Sequence, residues 1–160
     1  MTNCNLFHDL LDLPDEITNT WQTVNVSGIG SFKIPTEWYA EQQGEVIFIT
    51  DKPRESEDYT LYLIGVVQII GEEADYTHPH EIFESAERGE LVRSAVYSNS
   101  SQLRIFKYKF NGVTEEKLVI YMPNVMGDGY NFLNFLVWNQ AIVDEFLASD
   151  IAKTYRYEEH

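Results

Sequence analysis

The chain has 160 residues and a mass of 18.6 kDa, and its 26 Asp and Glu outnumber 11 Lys and Arg, so the formal net charge is −15 and the pI is near 4.5. Such acidity excludes a binder of duplex nucleic acid, whose affinity comes from Lys and Arg neutralising phosphates. Hydrophobic residues at 44% and aromatics at 14% are a core-forming composition, not that of a disordered chain.

At this length one domain buries roughly 68 to 70% of its unfolded surface and needs no disulfide or metal for stability. No repeat or linker divides the chain, so 1–160 reads as a single domain, with a helical segment over 1–20 and a sandwich over 21–157. Charge is uneven: −7 over 1–51, −7 over 52–90, +3 over 91–122 and −4 over 123–160.

Asn5 to Leu13 reads as a short amphipathic helix stopped by Pro14. Asp9 and Asp12 interrupt its apolar residues and no basic region precedes them, so it is not a signal peptide. Cys4 is the sole cysteine, which rules out an internal disulfide and suits a reducing compartment. No apolar run reaches about 18 residues, so no membrane insertion is expected. The expected location is the cytoplasm if Met1 is the native start. A chain cut below a removed leader would instead be an extracellular lipoprotein, with Cys4 near the lipidation site.

From Trp21 the pattern changes to period two. Trp21 to Val26 and Ser31 to Ile34 form strands around the turn Ser27-Gly28-Ile29-Gly30, a hairpin. Glu45 to Thr50 is the next strand, and Asp51 to Asp58, with Pro53, is a charged loop. Tyr59 to Ile70 is the most apolar run, with Leu61, Leu63, Val67 and Ile69 on one side and Tyr62, Ile64, Val66 and Ile70 on the other. A strand apolar on both sides belongs mid-sheet with layers above and below. Glu81 to Arg88 reads as a helix opened by Pro79 and ended by Gly89.

Strands resume at Leu91 to Tyr97. Asn111-Gly112 then marks a two-residue primed turn, which sets Phe110 opposite Val113, Tyr108 opposite Glu115, Phe106 opposite Lys117 and Ile105 opposite Leu118. Tyr130 to Trp138 is apolar throughout and suits a strand or a buried helix; we assign a strand. Val143, Leu147, Ile151 and Tyr155, with Ala148 and Ala152, mark a C-terminal helix, and Ser149-Asp150 is a point where it could break.

This order of elements resembles the PsbP-like α/β/α sandwich superfamily. Phe32-Lys33-Ile34-Pro35-Thr36-Glu37-Trp38 is similar to its opening strand with the following proline and tryptophan, Gly44 to Thr50 to its next strand, and Ile151 to Tyr155 to its closing helix. The likeness covers roughly Ser27 to Tyr155 through short motifs. It implies an α+β fold, a three-layer α/β/α sandwich with a mainly antiparallel central sheet. Members include the extrinsic subunit of photosystem II, a Ran-binding import factor, bacterial lipoproteins and chaperones of type VI secretion effectors. The implied function is a non-catalytic protein-binding module, adaptor or chaperone-like, for an exported effector or toxin. The alternative is the ectodomain of a cell-surface lipoprotein.

His78-Pro79-His80-Glu81 is the one cluster with metal-ligand chemistry. If Pro79 opens a helix, His78 and His80 project roughly 200° apart and cannot share an ion, and Glu81 complements the helix dipole. No metal or cofactor is therefore assigned. Nor is a catalytic residue: there is no G-x-S-x-G, P-loop or Rossmann glycine pattern, and Cys4 has no evident base. An enzyme with an unrecognised site ranks last. Gly127-Asp128-Gly129 reads as a turn, since the ligand spacing of a calcium loop is missing. The candidate partner site is the hairpin, where Arg104, Phe106, Tyr108 and Phe110 share a face and Lys107 and Lys109 take the other. Those rings are either core, covered by a helix, or an exposed patch for a protein partner.

Overall fold

The computed structural model describes residues 20–68, 90–124 and 131–158, apart from the side chains of Tyr108 and Phe110. The strands are β1 (Gln22–Val26), β2 (Gly30–Ile34), β3 (Tyr39–Gln43), β4 (Val46–Thr50), β5 (Leu61–Gln68), β6 (Glu90–Val96), β7 (Gln102–Phe110), β8 (Val113–Asn124), β9 (Asn131–Val137) and β10 (Arg156–Tyr157). The helix α1 (Glu145–Lys153) lies between β9 and β10. Seven strands form one antiparallel sheet in the order β3-β4-β5-β9-β8-β7-β6, and β1, β2 and β10 form a three-stranded sheet.

Period-two alternation gives the large sheet its inner face. Ile47, Ile49, Leu63, Val67, Leu103, Ile105, Leu118, Ile120, Leu133, Phe135 and Val137 are all buried there. Above them sit Val26, Phe32 and Ile34 of the small sheet and Ile29 of its turn, together with Val143, Ala148, Ile151 and Ala152 of the helical segment. Phe32 meets Phe135 edge to face at 5.2 Å, which joins the two sheets. Gly65 makes room for this contact, because a Cβ there would stand 2.6 Å from the Phe135 ring.

The expected register of the β7–β8 hairpin is observed from Phe110↔Val113 to Ile105↔Leu118. Asn111 and Gly112 both have positive φ, 52° and 78°, as a primed turn requires. Tyr130 to Trp138 is a strand in its main part, since β9 pairs with β5 and β8. A strand wins because both neighbours supply unbroken ladders for its backbone groups. The helix runs through Ser149 and Asp150 without a break. Asp144 caps it, accepting from the Leu147 N–H at 2.9 Å, and Val143 and Ala148, both buried, stand at the positions of a hydrophobic staple.

Three expectations change. β3 was not anticipated, since Tyr39–Gln43 carries little apolar signal; it is an edge strand with all but Glu41 exposed. β10 is too short for a sequence pattern to reveal. The fold is a sandwich of mostly antiparallel sheet, and the layer on the inner face of the large sheet is part helix and part sheet, not helix alone. The helices expected at Asn5 to Leu13 and Glu81 to Arg88 lie outside the described residues. The other side of β5, with Tyr62, Ile64 and Val66, is half-buried, less shielded than its apolar run suggests.

Candidate functional site

The C-terminal end of α1 and the turn before β2 meet in a seam held by hydrogen bonds. Asn99, in the β6–β7 turn, donates through Nδ2 to the carbonyls of Ala152, Lys153 and Tyr155 at 2.9, 3.2 and 2.9 Å, and the Ser101 hydroxyl donates to Ala152 at 2.8 Å. These donors take up carbonyls that a helix end leaves without partners. The buried Tyr155 hydroxyl reaches the carbonyls of Pro123 at 2.8 Å and Ile29 at 3.0 Å, tying both sheets to the helix. Burial pushes its pKa up, helped by the charges of Tyr157 and Glu158.

The opposite end of the large sheet is built differently. There β9 pairs with β8 only from Val119 onward, and among the described residues β6 pairs with β7 as far as Lys107. The ribbon beyond exposes Lys107, Lys109, Val113, Thr114, Glu115 and Glu116. Beside it, the chain leaving β9 passes through a turn in which the N–H groups of Ile142 and Val143 bond the Asn139 carbonyl at 3.3 and 2.9 Å. Gln140 Nε2 donates to the Glu116 carbonyl at 2.7 Å, and Arg93 pairs with Glu145 at 3.0 Å and Glu116 at 3.5 Å, so turn, helix and ribbon are held together. Those carboxylates, Glu145 foremost, raise the Arg93 pKa.

On this framework three large apolar side chains face water: Trp138 is 57% exposed, Ile142 48% and Phe146 83%. They follow one another at four-residue steps. In α1 the buried stripe is Ala148, Ile151 and Ala152; at about 100° per residue, Phe146 stands roughly 160° around the axis from Ala148 and has no packing role there. Lone exposed apolar residues are ordinary, but three within one short stretch, two of them aromatic, have the composition of a contact surface.

The residues singled out on the hairpin separate. Arg104 is 6% exposed and Phe106 4% exposed on the outer face of the large sheet. The Arg104 guanidinium lies 4.3 Å above the Tyr121 ring and its Nε donates to Gln102 Oε1 at 2.9 Å. Tyr108 and Phe110 belong to the β7–β8 ribbon by register, opposite Glu115 and Val113. His78, His80 and Glu81 lie outside the described residues. Among the described residues no group of three His, Cys, Asp or Glu is placed to hold a metal, and no helix is long and apolar enough to cross a membrane. Trp138, Ile142 and Phe146 escaped the sequence reading because they adjoin apolar runs. The available signal was Phe146, which falls off the stripe of Val143, Leu147 and Ile151.

No protein-family model matches the sequence, and no curated protein matches it either. Among solved structures, LpqN, involved in cell envelope biogenesis of Mycobacterium tuberculosis, is similar over 85% of this chain and 89% of its own, at 12% identity and a TM-score of 0.47. A protein of Bacteroides thetaiotaomicron is similar over 88% of this chain, at 11% identity and a TM-score of 0.47. The match spans about half, 49%, of that Bacteroides chain.

Proposed function

We propose that this chain is a non-catalytic protein-binding module of the PsbP-like sandwich type, working as an adaptor or chaperone for another protein. Its docking surface is the end of the large sheet where the β7–β8 ribbon stands beside Trp138, Ile142 and Phe146. The observation that carries this reading is the exposure of those three side chains on a stretch fixed by its own cap, turn and ion pairs. A rigid stretch presents its apolar groups without a large ordering cost on association. The strongly acidic surface maintains solubility and speeds encounter with a basic partner.

The experiment is co-purification of the tagged protein from its native host at low salt, beside a Trp138→Ser/Phe146→Ser double variant. A stoichiometric partner recovered by the wild type and lost by the variant is the expected result. Recovery of no partner by the wild type, or of the same partner by both, overturns the reading.

A further inference from the structure

We propose that the open hollow between the β1–β2 hairpin and the C-terminal strand binds a neutral polyhydroxylated ligand, roughly one or two sugar rings in size. The hollow measures about 440 Å³ and is lined by Asn25, Ser27, Ser31, Arg156 and Glu158 around Val26, Gly30 and Tyr157. Its floor is set by register. Asn25 pairs with Ser31 and Ser31 with Arg156, so the three stand in one row across the small sheet, on the face turned away from the core. Gly30 closes the geometry: its φ is +145° and a Cβ there would stand 2.0 Å from the Arg156 carbonyl, so only glycine lets β10 lie this close to β2.

The polar groups around this hollow are uncommitted. Across the described residues the Asn25 amide, the Ser27 and Ser31 hydroxyls and the Arg156 guanidinium make no side-chain hydrogen bond or ion pair, while Glu158 uses Oε2 to accept the Gly28 N–H at 3.0 Å. In the 51–60 loop, by contrast, Thr50, Asp51, Lys52, Ser56 and Asp58 are all bonded to one another or to the backbone.

The chemistry of the lining selects the ligand class. It holds one cation and one anion together with an amide and two hydroxyls, groups that donate and accept in close alternation. An anion would face Glu158 and the field of a chain with net charge −15. An apolar ligand would strip these polar groups of water and gain little, because Val26 and Tyr157 stand in the neighbouring row and pack on the core. Neighbouring hydroxyls on a sugar ring donate and accept in the same alternating way.

The test is titration of the ¹⁵N-labelled chain with maltose, cellobiose, lactose and N,N′-diacetylchitobiose, beside glucuronate and glucose 6-phosphate. The expected result is saturable shifts of the Asn25, Ser27, Ser31 and Arg156 amides with at least one neutral sugar. Asn25→Ala and Arg156→Ala should each weaken it about fivefold or more without changing the fold. Three outcomes overturn the proposal: no neutral sugar shifts these amides at millimolar concentration, an acidic sugar binds more tightly than every neutral one, or binding survives both variants.

Discussion

The seam around Tyr155 and the exposed end around Phe146 lie at opposite ends of one helix and follow opposite rules. At the seam Ile29, Ile151 and Tyr155 are buried, and the carbonyls of the last helical turn are taken by Asn99 and Ser101. At the other end the backbone is held as firmly by Asp144, Gln140 and Arg93, yet Trp138, Ile142 and Phe146 point into water. Rigidity there is not matched by burial. The contrast teaches that residues needed for folding and residues free for recognition are separable within one short element, so substitutions can address them independently.

The largest expected effect breaks the packed side of the comparison. Phe135→Ala removes the ring that joins the sheets and should cost about 3 to 5 kcal/mol, read as a lower urea midpoint. Asn134→Leu should act in the other direction. Asn134 is 2% exposed, and both its amide nitrogen and oxygen are buried without a hydrogen-bond partner among the described residues, so an apolar replacement should gain about 1 to 3 kcal/mol in the same measurement.

Tyr155→Phe sharpens the seam. Losing the hydroxyl removes its bonds to the carbonyls of Pro123 and of Ile29, which keeps the Glu158 N–H, at a cost of about 1 to 3 kcal/mol. It also changes the response to alkali. The folded pKa of Tyr155 lies above the unfolded value near 10. Its contribution is therefore complete below about pH 10 and falls as the pH rises toward the folded value, because the unfolded chain releases the proton first. Urea midpoints between pH 8 and 11 should decline less steeply in the variant than in the wild type. Phe146→Ser is the smallest: with its ring 83% exposed, stability should move by no more than about 0.5 kcal/mol while partner recovery is lost. A large destabilisation there would erase the distinction between the two regions.

Much of the fold was legible because its signals are local. Alternation marks β1, β2, β4 and β5, the Asn111-Gly112 turn fixes a register of nine pairs, and the spacing of Val143, Leu147, Ile151 and Tyr155 marks the helical segment. β3 and β10 were hidden because an exposed edge strand and a two-residue strand are defined by their partners, not by their own hydrophobicity. The inner layer was misjudged for a related reason. Period two shows that the first hairpin has an apolar side, but says nothing about which sheet it joins, and that depends on β10 meeting Gly30 and Ser31. Of the hairpin residues, Arg104 and Phe106 prove interior: the ladder with β8 sets them opposite Val119 and Lys117, well short of the ribbon's tip, and the Arg104 guanidinium lies over the Tyr121 ring.

The bond from the Gly28 N–H to Glu158 spans 130 residues, and the pairing of β2 with β10 spans nearly as many. On a ribosome, the seven strands of the large sheet are all synthesised once Val137 has emerged, whereas β2 lacks its second neighbour until Tyr157 does. Contacts this distant in sequence form late and slow the reaction. During that interval the edge of β2 that β10 will cover is an open template for another nascent chain, so cotranslational misassembly of this protein should begin at Gly30 and Ser31.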